Sequence, residues 1–278
     1  MSQLMDSKGN VVESSNIANS VALDVLVIPT YFNIYSALLF GDSSPSAFIG
    51  EQVSHHPPIT AIYADCPLGD ISIEGSVGIE VHADMKWMSL TPFKGVKAEH
   101  VGSIVFKDQR HGEDYKVTFP DAYASNVFEV PELNFQGKAT IECSNGHSAT
   151  INYVKKGGKD RFSITGSMDT PSSQKAMSFS GKWNGKVVKD STNEVVFDAK
   201  QCHDAEKLCP PVYSQEHLES RRLWRHVTRA LVENDEEEAN QEKEKTEQWQ
   251  RDHRKELGAS YFVRKGPLDW KFKGNSGS

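Results

Sequence analysis

From Ile71 to Val81 the chain alternates apolar and polar residues. Ile71, Ile73, Val77, Ile79 and Val81 occupy the odd positions, with Ser72, Glu74, Ser76 and Glu80 between them. Successive side chains of a strand point to opposite faces, so this period of two predicts one apolar and one polar face. Gly75 and Gly78 interrupt the pattern and predict bends. Further strands are expected at Met85–Leu90, Ser103–Phe106, Tyr115–Phe119, Ala139–Cys143, Ala149–Tyr153, Phe162–Gly166, Ser178–Trp183 and Glu194–Asp198. Turn clusters separate them, among them Ser144-Asn145-Gly146, Lys156-Gly157-Gly158-Lys159 and Asn184-Gly185. Many short antiparallel strands indicate a sandwich or a barrel, and the residue pattern leaves that choice open.

On either side of this region the pattern changes. Val21 to Phe40 is apolar and nearly membrane-spanning in length, yet Asp24, Pro29 and Asn33 interrupt it. A spanning helix needs about 20 predominantly apolar residues. Val25, Val27, Thr30, Tyr31 and Ile34 favour strands and Pro29 breaks a helix, so two short buried strands are expected instead. No basic leader precedes the segment, which argues against a signal peptide. After Pro210-Pro211 the periodicity becomes helical. Ser220 to Val232 carries Leu223, Trp224, Val227, Leu231 and Val232 on one stripe and predicts an amphipathic helix. Asn234 to Leu257 is highly charged, with Trp249 almost its only large apolar residue, and predicts a solvated helix laced with i,i+4 pairs. There Lys243, Glu247 and Arg251 lie four apart on one face, with Glu247 N-terminal to Arg251 in the favourable order.

Composition narrows the function classes. A chain of 278 residues is long enough for one large domain. With 37% hydrophobic and 25% charged residues it reads as soluble and globular. Its net charge of −7 argues against nucleic acid and gives no help in docking on an anionic membrane. Cys66, Cys143, Cys202 and Cys209 lie far apart and read as free thiols in a reducing compartment. Cys202-His203 with Cys209 lacks the fourth ligand of a closed zinc site, and no metal or other cofactor is expected.

The most informative run is Glu51-Gln52-Val53-Ser54-His55-His56-Pro57-Pro58-Ile59. Pro57 and Pro58 carry no backbone N–H, so a central strand cannot pair through them, and each pushes its predecessor towards extended geometry. The run predicts the end of a strand at a sheet rim, where two imidazoles sit on a stiff backbone. In a regular strand His55 and His56 face opposite sides, so only a rim or loop lets both serve one site.

Glu-Gln-Val-Ser-His-His-Pro-Pro resembles, letter for letter, the signature of the oxysterol-binding-protein-related lipid-transfer family. Phe135-Gln136-Gly137-Lys138-Ala139-Thr140-Ile141-Glu142 resembles that family's mid-barrel strand, and Ser180-Gly181-Lys182-Trp183-Asn184-Gly185 a later one. Glu219-Ser220-Arg221-Arg222-Leu223-Trp224 and Gln250-Arg251-Asp252-His253-Arg254-Lys255 resemble its C-terminal helical part, so the resemblance runs from Phe48 to Leu257.

The resemblance implies a mainly β fold with C-terminal α-helices, an antiparallel, incompletely closed β-barrel around an apolar lipid tunnel. It divides the chain into a divergent segment 1–47, a β-barrel lipid-binding core 48–210 and a C-terminal helical part and tail 211–278, all one lipid-binding domain. The implied function is lipid binding and non-vesicular transfer, exchanging phosphatidylinositol 4-phosphate for a sterol or for a phospholipid such as phosphatidylserine. The implied setting is cytoplasmic, peripheral at organelle membranes or membrane contact sites. The implied phosphate-binding set is His55, His56, Lys243, Glu247 and Arg251, with the acid between the two basic residues orienting them. A phosphate monoester needs several donors, and imidazolium, ammonium and guanidinium groups supply strong charge-assisted bonds. Glu51 is expected on the strand surface or in a salt bridge.

The chain also departs from the family pattern. Only 50 residues precede Glu51, and Ile34–Asp42 stands where the family carries an Asn-Pro-x-x-Gly-Glu-type segment and a phosphate-contacting lysine. Lys8 is the sole lysine before Glu51, so one phosphate donor and the tunnel-covering lid are expected to be missing, with Val21–Phe40 as a partial cover. No pleckstrin-homology or ankyrin part is expected, which leaves membrane targeting to the domain or to partners. Two other readings compete. One is a non-transferring phosphoinositide binder or sensor with an incomplete tunnel. The other is a hydrolase in which His55, His56 and Glu51 hold a metal; the prolines and the absence of an HExxH or nucleophile-elbow motif tell against it.

Overall fold

The computed structural model describes residues 34–39, 45–55, 57–66, 70–85, 93–125, 132–154, 161–201, 211–215, 217–253 and 260–274. Thirteen strands form one antiparallel sheet. Its first half comprises β1 (Ile34–Leu39), β2 (Pro45–His55), β3 (Pro58–Cys66), β4 (Ile71–Met85), β5 (Phe93–Asp108), β6 (Glu113–Val117) and β7 (Asp121–Ser125). The second half comprises β8 (Glu132–Cys143), β9 (Ser148–Tyr153), β10 (Ser163–Thr170), β11 (Ser173–Lys182), β12 (Lys186–Lys189) and β13 (Val195–Asp198). After a 3-10 turn at Val212–Ser214 come the helices α1 (Ser220–Leu223), α2 (Arg225–Val232) and α3 (Glu236–His253). The described chain ends in a hairpin of β14 (Phe262–Arg264) and β15 (Trp270–Phe272).

Strand neighbours follow chain order, apart from one doubling. The long β5 and β8 are bridged by β6 near one end and by β7 near the other. The strand order ends at β1 and β13, which do not pair with each other among the described residues, so the sheet is not closed. The expected strands fall on these elements, whereas β3, β7, β12, β14 and β15 had no expectation. Of the segment Val21–Phe40, Ile34–Leu39 forms β1, antiparallel to β2; residues 21–33 lie outside the described residues, as do 86–90 of the strand expected at Met85–Leu90. Among the described residues no helix is long and apolar enough to cross a membrane.

β4 corrects one expectation. Gly75 and Gly78 are not bends, because β4 runs unbroken through both. They are places of close approach: a Cβ on Gly75 would lie 2.4 Å from the Ser103 carbonyl oxygen, and one on Gly78 2.8 Å from a Val101 methyl. The strand also shows which face is covered: on the polar face Ser72 and Ser76 are buried, though Glu80 and His82 further along are exposed, while on the apolar face Ile71 and Val81 are 37% and 38% exposed.

The cause is the C-terminal hairpin, which lies across the polar face. Ser76 Oγ donates to the Leu268 carbonyl at 2.5 Å, and Glu74 accepts from the Phe272 N–H at 2.8 Å. Phe262 is buried with Ile49 and Ala61, and Phe272 stacks on Tyr63 with ring centroids 4.1 Å apart.

On the opposite face the described apolar residues are only partly covered. Residues directly opposite on paired strands share a face. By register, Ile62 and Ile104 flank Gly75, Phe106 lies opposite Ile73, Val117 opposite Ile104 and Ile141 opposite Val117. This apolar strip crosses β3, β4, β5, β6 and β8, and its side chains are half-exposed or exposed.

The segments around Phe135 and Ser180–Gly185 meet in space. The Trp183 ring stands edge-on to Phe135 and Phe162 at 5.1 and 5.2 Å, and its Nε1–H donates to Asn134 at 3.2 Å. The expected helix Ser220–Val232 is broken at Trp224 into α1 and α2. Of its stripe, Leu223, Trp224, Val227 and Leu231 are half-buried or exposed and Val232 is exposed, whereas Ala230 is fully buried. The turn into α3 is locally encoded. Asn234 takes φ +58°, and the Asp235 N–H reaches back to the Ala230 carbonyl at 2.9 Å, closing α2 in a Schellman motif. The Asp235 carboxylate then caps α3 by accepting the Glu238 N–H at 2.9 Å.

Candidate headgroup site

The signature run forms the β2–β3 hairpin. Pro58 opens β3 opposite His55, the last residue of β2, so a proline falls at a strand start, where its missing N–H is tolerated. The register shifts between Gln52 and Ser54, leaving Val53 as the extra residue of a bulge. Bulges re-aim the chain that follows them, here the chain entering His55. His55 is described by its backbone alone, and His56 lies outside the described residues.

Lys243, Glu247 and Arg251 lie along one face of α3, as their spacing predicts. The Glu247 carboxylate sits between the two bases, 3.7 Å from the Lys243 ammonium and 3.7 Å from the Arg251 guanidinium. Lys243 and Glu247 are largely covered while the Arg251 side chain is half-exposed, and its Nε and a terminal nitrogen also donate to Gln248 at 3.1 and 3.0 Å. Two bases turned to one side by a shared acid present several donors to an anion. On the flank of the helix Trp249 stacks on His253 at 4.9 Å, with His217 edge-on at 6.3 Å.

Glu51 holds the role that sequence reading missed. Its Oε2 accepts the Ser260 hydroxyl at 3.0 Å and the Tyr261 N–H at 2.9 Å, joining β2 to the chain that follows α3. Burial pushes its carboxyl above the ordinary glutamate value, against the opposing pull of the Tyr261 and Ser260 hydrogen bonds and the Lys273 charge. No local pattern announces this contact, because the partners lie 209 and 210 positions away. Between the signature and the terminal hairpin lies a cavity of about 460 Å³, with Val53, Ser54 and Pro57 on one wall and Pro267, Leu268 and Trp270 on the other. Cys143 is a free thiol; Cys202, His203 and Cys209 lie outside the residues whose side chains are described. Among the described residues no cluster of three or more metal-ligating side chains occurs.

The family model described as "Oxysterol-binding protein" matches residues 34–276, nearly the whole chain. The chain belongs to the oxysterol-binding protein family. It is 32% identical over 212 residues to oxysterol-binding protein-related protein 9 of Xenopus tropicalis, an alignment covering 73% of this chain and 28% of that protein. It is likewise 32% identical over 210 residues to oxysterol-binding protein-related protein 10 of Homo sapiens, covering 73% and 26%. The chain thus spans about a quarter of the length of these relatives. Among solved structures, the Osh3 ORD of Saccharomyces cerevisiae in complex with PI(4)P superposes with a TM-score of 0.62 at 20% identity, covering 87% of this chain and 68% of that one. The Osh1 ORD in complex with cholesterol gives 0.57 at 21% identity, covering 94% and 74%. These likenesses settle the fold: the antiparallel sheet is that of an oxysterol-binding-protein-related domain, an incompletely closed β-barrel with C-terminal helices.

Proposed function

We propose that this chain is one lipid-binding domain that carries phosphatidylinositol 4-phosphate in one direction and a sterol, or a phospholipid such as phosphatidylserine, in the other. The observation that carries the reading is the apolar strip across five strands. Among the described residues the hairpin lies on the polar face and the apolar strip stays partly exposed, which suits an apolar occupant. The solved ORD structures of Osh3 and Osh1 hold PI(4)P and cholesterol respectively, which supports lipids of those classes.

In this reading His55 and His56 at the end of β2 and Lys243 and Arg251 on α3 bind the phosphate, and Glu247 orients the two basic side chains. The domain works in the cytoplasm, in peripheral contact with organelle membranes or at membrane contact sites, with lipids rather than nucleic acid as partners. It is not an enzyme and uses no cofactor.

The test is mass spectrometry of lipids copurifying with the full chain, together with transfer between two liposome populations. A copurifying sterol or phospholipid displaced by phosphatidylinositol 4-phosphate, with transfer in both directions, is expected. Phosphoinositide binding without transfer would establish a sensor in place of a carrier. Absence of any bound lipid would remove the reading.

A further inference from the structure

We infer that Glu51 is a positioning residue, a clasp that pins the chain leaving α3 onto the strand carrying the histidines. This rests on the phosphoinositide reading above and assigns the acid of the signature a task distinct from touching lipid. Glu51 stands four residues before His55 on β2, and Ser260 follows Arg251 by nine residues. The two hydrogen bonds at Glu51 Oε2 are therefore a direct tie between the stretches of chain that bear the two halves of the proposed headgroup site.

Three observations make this tie consequential. The hairpin is held on the sheet by polar contacts at Glu51, Glu74 and Ser76 as well as by the packing of Phe262 and Phe272. Beyond Val53, which packs against that core, a cavity opens between Ser54, Pro57 and Leu268. Finally, Ser260 is itself organised: its Oγ accepts the Phe262 N–H at 3.0 Å while donating to Glu51, so the clasp is continuous with the buried start of β14. A half-buried carboxylate with two donors on one oxygen is restricted to geometries in which both are satisfied. It thereby sets where β2 lies relative to Ser260 and the start of β14.

The test compares Glu51→Ala, Glu51→Gln and Ser260→Ala in the full chain. Both donors meet the same oxygen, so the amide oxygen introduced by Glu51→Gln can accept both and should rescue. The probe is liposomes containing phosphatidylinositol 4-phosphate and sterol, with both extracted lipids quantified in the same sample. Glu51→Ala should lower phosphoinositide extraction by about tenfold or more, the scale of two lost hydrogen bonds to a charged acceptor, and leave sterol extraction within about threefold. Glu51→Gln should stay within about threefold of wild type for both, and Ser260→Ala should fall between. Normal phosphoinositide extraction by Glu51→Ala, or equal loss of both lipids, overturns the assignment.

Hydrogen exchange provides a readout that needs no lipid. Glu51→Ala should speed exchange in residues 49–62 and 260–272 together, by about tenfold, while β8–β11 stay protected and Glu51→Gln matches wild type. If wild type extracts no phosphoinositide, the functional reading falls and exchange alone decides the clasp. Unchanged exchange in Glu51→Ala overturns it; if that variant does not fold, Ser260→Ala carries the same comparison.

Discussion

The charged helix α3 and the signature strand β2 are built by opposite means. On α3, Glu247 meets Lys243 and Arg251 because residues four apart share a helix face, and the whole arrangement fits within nine residues. On β2, Glu51 meets Ser260 and Tyr261 across 209 and 210 positions, and Ile49 meets Phe262 in a shared core. The helix pairs are partly covered and local, and such i,i+4 pairs contribute little to folding. The strand contacts are long-range and adjoin the buried core at Ile49, so each of them matters. The helix is therefore the place to change ligand chemistry without disturbing the fold, and the strand is where chemistry and fold are coupled.

The largest effect is expected where that coupling reaches the ligand. His55→Ala with His56→Ala should abolish phosphatidylinositol 4-phosphate extraction from liposomes while the copurifying apolar lipid stays bound. Extraction by the double variant at the wild-type level would sink the site. Next comes the buried anchor of the hairpin. Phe262, 2% exposed, should cost about 3–5 kcal/mol on truncation to alanine, read from urea unfolding, because the site cannot collapse under a hairpin held at both ends. A loss below about 1 kcal/mol would mean that the hairpin is not part of the cooperative fold.

On the helix the effects should be smaller and confined to binding. Lys243→Ala and Arg251→Ala should each weaken phosphoinositide affinity by about 1–3 kcal/mol, the scale of a lost charged hydrogen bond. Lys245→Ala should matter less, since that ammonium lies off the face and is engaged by Glu242 at 2.5 Å. Equal losses at all three positions in a liposome assay would reduce the triad to general electrostatics.

The smallest and most diagnostic effect is the pH response of Glu51. Its carboxyl is raised in the fold by burial, so below the ordinary glutamate range it is protonated in both states and its contribution is fully present. As pH climbs through the raised value, ionisation is penalised in the fold and that contribution is lost. Wild type should therefore lose stability relative to Glu51→Gln as pH rises above the ordinary glutamate range. A difference that grows in the other direction would show that the hydrogen bonds from Ser260 and Tyr261 outweigh burial.

Legibility followed the range of the contacts. The alternation from Ile71 to Val81 named β4, and the turn clusters located most strands of the meander, because period and punctuation are local. Lys243, Glu247 and Arg251 were readable as a face for the same reason. β7 and β12 escaped because five and four residues carry too little pattern, and the hairpin β14–β15 because its strands have three residues each. The alternation in β4 left open what covers each face, since nothing near Glu74 or Ser76 announces Phe272 or Leu268 as a partner. Ser220–Val232 read as one helix, and the break at Trp224 was not written in its stripe.

By itself the sequence determined the family, through eight contiguous residues, and the succession of strands and helices, through local periodicity. It also determined the turn from α2 to α3, where Asn234 and Asp235 supply both caps. Only the tertiary structure decided which face of the sheet the hairpin covers and which stays partly exposed. Alternation states that a strand has two faces but not what covers either one, and the cover here comes from residues 192 and 198 positions further along the chain. The same holds for Glu51: a carboxylate in a strand becomes a surface charge or a buried clasp according to what the end of the chain brings to it.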